Sequence, residues 1–117
     1  MSETSLAPLA PPVTPLTIDE ALVGRRTVVA VAGEIDINTT GALQAAIESA
    51  ASRAFEIWLD LTDTTFMDSS GLHAIAAART RLSDANRRLV VICPDGPVLR
   101  VLTLTGFDEI LEIHPSR

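Results

Sequence analysis

Two spacings of apolar residues alternate along the chain, and they predict strands and helices in turn. Short segments with the apolar content or alternation of strands lie at 16–22, 27–32, 56–61, 89–93 and 110–113. Apolar residues three and four positions apart predict helices at 38–52, 71–86 and 97–105. Because helices separate most of the strands, the pattern predicts an α/β domain with a mostly parallel sheet.

The first two strands differ from the rest, because no helix separates them. Gly24 and Arg25 supply a short turn, which predicts an antiparallel hairpin at the edge of the sheet. Residues 1–15 contain four prolines among small and polar residues. Proline lacks a backbone donor and resists regular structure. We therefore divide the chain into a flexible proline-containing tail, 1–15, and one domain, 16–117.

Composition narrows the class of function. The chain has 117 residues, of which 47% are hydrophobic, and this suits one domain with a real core. The net charge of −6 argues against nucleic acid or an anionic membrane as a partner. All nine basic residues are arginine, which excludes lysine-based covalent catalysis. No secretory signal is evident, and no apolar run approaches the ~20 residues of a membrane helix. These features predict a cytoplasmic protein.

The sequence offers little for catalysis or metal binding. Cys93 is the only cysteine, and its apolar run predicts a buried structural thiol. His73 and His114 are far apart, and the carboxylates lack the spacing of ligands, so we expect no metal and no cofactor. A nucleophile elbow needs glycine two residues on either side of the serine, and Ser70 has neither. We predict a binding protein rather than an enzyme.

One polar stretch joins a predicted strand to a predicted helix. Residues 62–72 read Thr-Asp-Thr-Thr-Phe-Met-Asp-Ser-Ser-Gly-Leu, which places Asp68, Ser69 and Ser70 at the start of the helix. Such residues cap free backbone N–H groups, and the same groups attract anions such as phosphate. Two interpretations follow. The residues only cap the helix, or Ser70 is a phosphoacceptor whose modification, about −1.5 to −2 charges, repels a docked partner.

These motifs resemble the STAS-domain anti-sigma factor antagonists of bacteria. The resemblance covers about residues 16–114 and depends on three features. They are Gly33-Glu34-Ile35-Asp36, the strand Ile-Trp-Leu-Asp-Leu at 57–61, and Phe-Met-Asp-Ser-Ser-Gly-Leu at 66–72. The resemblance implies the STAS fold, a mixed and mostly parallel sheet with an N-terminal hairpin and three to four helices.

The resemblance also implies a partner switch. In that family the unmodified protein binds an anti-sigma factor that is also a serine kinase, and so releases a sigma factor. The kinase uses ATP and Mg²⁺ to phosphorylate the second serine of the motif, here Ser70, and the phosphorylated form lets go. A serine phosphatase resets the cycle. Asp68 and Ser69 match the residues before the acceptor, and Asp36 matches an acidic residue close to the kinase interface.

His73 stands where relatives often carry a small residue, so the surface that faces the kinase differs here. The partner-binding residues that we expect are Asp36, Asp68, Ser69, Ser70, Gly71 and His73. One alternative is a STAS scaffold subunit of a transport or signalling complex, without phosphorylation. Others are a domain that holds a purine nucleotide near Asp36, and an enzyme with Ser70 as nucleophile. We expect a monomer that binds neither nucleic acid nor a membrane.

Overall fold

The structure, a computed structural model, describes residues 16–117. Five strands in this range form one sheet, and their order in the sheet follows their order in the chain. The strands are β1 (Thr17–Val23), β2 (Arg26–Ile35), β3 (Glu56–Met67), β4 (Arg88–Ile92) and β5 (Glu112–His114). β1 pairs with β2 in antiparallel orientation, and each later pair of neighbours is parallel.

A helix joins each pair of parallel neighbours. The helices are α1 (Thr40–Ala51), α2 (Ser69–Asp84) and α3 (Pro97–Leu104), and a short 3₁₀ turn, Phe107–Glu109, precedes β5. Crossovers between parallel strands are almost always right-handed. Since the sheet order follows the chain order, right-handed crossovers place all three helices on the same face. Within residues 16–117, no helix is long and apolar enough to cross a membrane.

The core lies between the sheet and the helices. Every second residue of a strand faces the same side, and the core residues of β3 include Ile57, Leu59 and Leu61, each 1% exposed or less. The helices contribute their buried apolar faces to the same cluster. These residues include Leu43, Ile47, Leu72, Ile75, Leu82 and Leu102. The predicted burial of Cys93 is confirmed.

The predicted fold class is confirmed, but two strands end later than the sequence pattern indicates. The pattern predicts strand ends at 32 and 61, whereas β2 ends at Ile35 and β3 at Met67. The added residues pair with each other through two register shifts, between Ala30 and Ala32 and between Gly33 and Glu34. The polar run at 62–65 is typical of a loop, yet its threonines are β-branched and suit a strand.

The last strand also differs from its prediction. The sequence pattern predicts a strand at 110–113, whereas β5 spans Glu112–His114. The chain is still turning before that point, because the Leu111 N–H donates to the Phe107 carbonyl at 3.0 Å. The predicted tail, 1–15, lies outside the described residues.

Candidate functional site

The two sequence motifs meet where β2 and β3 end. Ile35 and Met67 are the last paired residues of the two strands. The Asp68 N–H donates to the Ile35 carbonyl at 3.2 Å, so Asp36 and Asp68 follow directly from the same end of the ladder. Sheets of this kind place their functional groups at the carboxyl ends of parallel strands. We call residues 68–71 the serine loop.

Asp68 is the N-cap of α2, as the sequence predicts. Its backbone is extended, and its Oδ1 accepts hydrogen bonds from the Ser70 N–H at 2.9 Å and the Gly71 N–H at 3.3 Å. The Ser70 hydroxyl donates to the same oxygen at 2.5 Å. This hydroxyl is the main reason that the pKa of Asp68 is lowered. Desolvation opposes the shift, and the backbone N–H groups of Gly71 and Ser70 add to it. The carboxylate therefore stays ionised at neutral pH.

The two serines of the loop differ in a way that the sequence does not reveal. Ser69 is exposed, and its hydroxyl forms no hydrogen bond with any residue of 16–117. Ser70 is half-buried, and its hydroxyl is bound to Asp68. The hydroxyl that another protein can reach without breaking a bond in the loop is therefore that of Ser69.

Gly71 allows α2 to begin this close to the sheet. A Cβ atom at Gly71 would lie 2.7 Å from Ile35 Cγ2 and 2.7 Å from Met67 Cγ, well inside van der Waals contact. Ile35 is fully buried and branched at Cβ, so it has little freedom to move away. The glycine fixes the distance between the serine loop and the end of β2.

Asp36 belongs to a turn with its own network of hydrogen bonds. The Asn38 N–H donates to Asp36 Oδ1 at 2.9 Å, and the Asp36 N–H donates to Thr39 Oγ1 at 2.8 Å. The Thr39 hydroxyl in turn donates to the Glu34 carbonyl at 3.0 Å. Thr39 is the N-cap of α1, but its hydroxyl bonds to this turn instead of capping the helix. The turn holds the Asp36 carboxylate beside the end of β2.

Two large apolar side chains lie exposed close to the carboxylates. Ile37, next to Asp36, is 73% exposed, and Phe66, two residues before Asp68, is 47% exposed. His73 on the first turns of α2 is exposed as well. Exposed apolar groups beside charged groups are typical of a protein–protein contact. The sequence analysis missed Ile37 and Phe66, because each lies where a strand runs into a turn and its exposure depends on the tertiary structure.

The described residues give no support for a metal centre. No group of three or more His, Cys, Asp or Glu side chains lies close enough within 16–117 to hold a metal ion. Cys93 is buried, and burial raises the pKa of its thiol, so it is a poor nucleophile. His114 bonds to Glu112 at 3.0 Å and lies far along the chain from the serine loop.

Comparison with protein families identifies the class. A family model described as the STAS domain matches residues 17–117. The chain belongs to the STAS domain family, and the resemblance that the motifs indicate is confirmed.

Individual relatives of known function narrow the class of protein further. The chain is 32% identical over 84 residues to an anti-sigma-B factor antagonist from Listeria monocytogenes. This match covers 71% of the chain and 74% of the relative. It is 29% identical over 91 residues to an anti-sigma F factor antagonist from Paenibacillus polymyxa, covering 76% and 78%.

Solved structures show the same fold. The crystal structure of an anti-sigma factor antagonist from Mycobacterium paratuberculosis has a TM-score of 0.81 at 28% identity, covering 90% of this chain and 92% of the other. Unphosphorylated SpoIIAA, an anti-sigma factor antagonist, has a TM-score of 0.66 at 21% identity, covering 86% and 90%. At that lower identity the likeness concerns the fold alone.

Proposed function

We propose that this protein is an anti-sigma factor antagonist. In its unmodified form it binds an anti-sigma factor and so frees a sigma factor for transcription. The observation that carries the proposal is the serine loop, held beside Asp36 at the joined ends of β2 and β3 with the Ser69 hydroxyl exposed. Named relatives at 32% and 29% identity support it. Sigma factors act in the cytoplasm, and that location is part of the proposal.

Phosphorylation of the serine loop ends the interaction. The serine oxygen attacks the γ-phosphorus of ATP, an O–P bond forms, and the bond to the departing ADP oxygen breaks. The anti-sigma factor acts as the kinase and supplies Mg²⁺ and the base that takes the hydroxyl proton. A serine phosphatase hydrolyses the phosphoserine and restores the binding form. The protein itself is a substrate in this cycle and not an enzyme.

The geometry supports Ser69 as the acceptor, whereas the family resemblance predicts Ser70. A phosphate on Ser70 Oγ would remove the donor that Asp68 Oδ1 accepts at 2.5 Å and would bring two anions together. The repulsion between these anions would also strain the backbone bonds by which Asp68 caps α2. A phosphate on Ser69, the first residue of α2, lies where the helix dipole favours negative charge. We propose Ser69 as the acceptor, with Ser70 as the alternative.

Charge explains how the phosphate releases the partner. The chain already carries a net charge of −6, and the modification adds about −1.5 to −2 charges next to Asp68 and Asp36. A partner that fits the apolar side chains of Ile37 and Phe66 must exclude water from this surface. A phosphate in that position has to lose its hydration without gaining a new cation, which weakens the contact. No change of fold is required.

Variants of the two serines test the proposal. We expect Ser69→Ala to bind the anti-sigma factor as the wild type does, and to keep binding it after incubation with ATP. Ser69→Glu should bind at least about tenfold more weakly, because a buried like charge costs more than about 1.4 kcal/mol. Ser70→Ala and Ser70→Glu are the matched pair. Calorimetry with the purified anti-sigma factor measures all four affinities.

Each pattern of affinities has a separate meaning. Equal affinity of Ser69→Ala and Ser69→Glu, with a large difference within the Ser70 pair, would move the acceptor to Ser70. Equal affinities within both pairs would remove the phosphorylation switch. Absence of binding by the wild type would remove the anti-sigma factor as the partner.

A STAS scaffold without phosphorylation is the second candidate. One observation favours it, because the Ser70 hydroxyl is already used inside the loop as a donor to Asp68. In that case Ser69 and Ser70 only help to start α2, and neither accepts a phosphate. The scaffold predicts that a negative charge at Ser69 leaves partner binding unchanged.

A further inference from the structure

The opposite end of the sheet carries a second surface. The hairpin turn and the first residues of β2 and β3 border an open pocket of about 570 Å³. We call it the hairpin-end pocket, and its lining residues are Val23, Gly24, Arg25, Arg26, Phe55 and Glu56. β2 has ten residues, which at about 3.3 Å per residue puts the pocket roughly 30 Å from the serine loop. The two surfaces are separate.

Apolar side chains lie exposed at this end of the molecule. Phe55 is 58% exposed and Val23 is 46% exposed, and both line the pocket. Leu22, the neighbour of Val23 on the edge strand β1, is 69% exposed. Three of the seven large hydrophobic residues exposed in 16–117 therefore gather here. An apolar patch of this kind beside a concave surface marks a site of interaction.

The pocket is locally positive in a chain of net negative charge. Neither Arg25 nor Arg26 has a carboxylate within 4 Å among the described residues. Glu56, the acid of the pocket lining, is already used, because it pairs with Arg88 and accepts the Trp58 indole N–H at 2.7 Å. Arg25 and Arg26 therefore line the pocket without a carboxylate within 4 Å in residues 16–117, in a chain with a net charge of −6. Arg26 also stacks on the ring of Trp58, and its charge acts on Glu56 from a greater distance.

We infer that the hairpin-end pocket docks an acidic amphipathic peptide segment of a partner protein. An aromatic or branched aliphatic side chain of that segment fills the pocket against Phe55 and Val23. Carboxylates on either side of it pair with Arg25 and Arg26, since arginine favours such partners. The site does not depend on the serine loop, so a segment bound here leaves the loop open to its own partner.

A protein segment fits these features better than a lipid bilayer does. The pocket is concave and takes a side chain, whereas insertion into a bilayer needs a protruding apolar tip. The net charge of −6 also repels an anionic membrane. The test includes vesicles of anionic phospholipid, so that binding to a membrane can be distinguished from binding to a peptide.

Trp58 provides a direct readout of the pocket. It is the only tryptophan of the chain, and the Arg26 guanidinium lies 3.9 Å from the centroid of its ring. We would titrate the full chain with a blocked peptide, Glu-Glu-Leu-Phe-Glu-Glu, and with its counterpart Lys-Lys-Leu-Phe-Lys-Lys. The acidic peptide should change Trp58 fluorescence in a saturable manner, and the basic peptide should not.

Variants of exposed residues assign the binding to the pocket. Arg25→Glu and Phe55→Ser should each lower the affinity for the acidic peptide about threefold or more. Each variant loses either an exposed ion pair or an apolar contact. Arg100→Glu and Leu104→Ser are the matched controls, because both residues are exposed on α3. These two should bind as the wild type does.

Three results would overturn the inference. The first is no saturation with the acidic peptide at millimolar concentration. The second is equal affinity of the pocket variants and the α3 controls. The third is binding to vesicles of anionic phospholipid that the pocket variants abolish while the peptide has no effect, which would assign the surface to a membrane.

Discussion

Asp68 joins three parts of the site at the scale of a single residue. Its N–H donates to Ile35 at the end of β2, while its carboxylate accepts the backbone N–H groups of Ser70 and Gly71. The same carboxylate holds the Ser70 hydroxyl. Asp68 thus caps α2, ties the helix to the sheet through its backbone, and leaves the Ser69 hydroxyl without a hydrogen bond to any residue of 16–117.

The cap can be tested by comparing two substitutions of Asp68. Asp68→Ala should lower the urea midpoint of unfolding, because two backbone N–H groups lose their acceptor. Asp68→Asn should lower it much less, since asparagine is an equally good N-cap. Equal midpoints for the wild type and Asp68→Ala would mean that the capping contacts add nothing to stability.

The unequal roles of the two serines predict a difference in the titration of Asp68. Ser70→Ala removes the hydroxyl that lowers the pKa of Asp68 most, so this pKa should rise toward its ordinary value. Ser69→Ala, the matched control, should leave the pKa unchanged. Carbon-13 NMR of the Asp68 carboxyl group measures both. A rise in Ser69→Ala instead would contradict the hydrogen bonding of the loop.

The hydrogen bond between the Ser70 hydroxyl and the Asp68 carboxylate also determines the sign of the pH effect on stability. The pKa of Asp68 is lowered in the folded state below its unfolded value of about 3.9. The contact therefore stabilises the fold fully above about pH 4, and the stabilisation is lost as the pH falls through the lower folded pKa. Ser70→Ala should lose part of this acid dependence, while Ser69→Ala should keep it.

At the scale of elements, the sequence predicted which segments form strands and helices but not how far two strands extend. Capping residues and apolar periodicity together predicted a helix start close to residues 68–71, and α2 begins at Ser69 with Asp68 as its N-cap. It missed the ends of β2 and β3, because residues 62–65 look polar and their pairing with β2 is a long-range contact. That pairing brings Asp36 and Asp68 together, so the juxtaposition of the motifs could not be derived from local pattern.

The family resemblance predicts Ser70 as the phosphoacceptor, but local sequence pattern does not distinguish Ser70 from Ser69. Ser69 and Ser70 are chemically identical and adjacent, and both occupy the first turn of a predicted helix. Only the position of the Asp68 side chain distinguishes them, since it binds the Ser70 hydroxyl and leaves that of Ser69 exposed.

Gly71 sets the position of α2 on the sheet, and this can be tested with a matched glycine. Gly71→Ala should lower the free energy of unfolding by about 1–3 kcal/mol, because its Cβ meets Ile35 and Met67 at 2.7 Å. Gly41→Ala in α1 has no atom within 4 Å of its Cβ and should raise stability by about 0.4–1 kcal/mol. Urea denaturation measures both. A loss of similar size in both variants would point to helix effects in general and not to the contact with β2.

At the scale of the whole molecule, the fold uses one face of the sheet for its core and the two ends of β2 and β3 for its surfaces. The serine loop lies at the carboxyl ends of these strands, and the hairpin-end pocket lies at their start. Apolar residues beneath the helices supply the stability, so both ends are free to carry exposed groups. This arrangement lets stability and binding be changed separately.

Two leucines test whether stability depends on the core and not on the exposed surface. Leu59 in the middle of β3 is fully buried, and Leu59→Ala should cost about 2–5 kcal/mol of stability. Leu104 at the end of α3 is 80% exposed, and Leu104→Ala should change stability by about 0.5 kcal/mol or less. Thermal and urea unfolding give both values. A cost below about 1 kcal/mol for Leu59→Ala would contradict the position of the core.

Phosphopeptide mass spectrometry tests directly whether the serine loop is phosphorylated and at which serine. The wild type, Ser69→Ala and Ser70→Ala would be incubated with ATP, Mg²⁺ and a soluble extract of the source cells with proven serine kinase activity. We expect phosphate on Ser69 in the wild type and in Ser70→Ala, and none on the loop in Ser69→Ala. An unmodified serine loop in the wild type, while a control substrate in the same extract is phosphorylated, would contradict it.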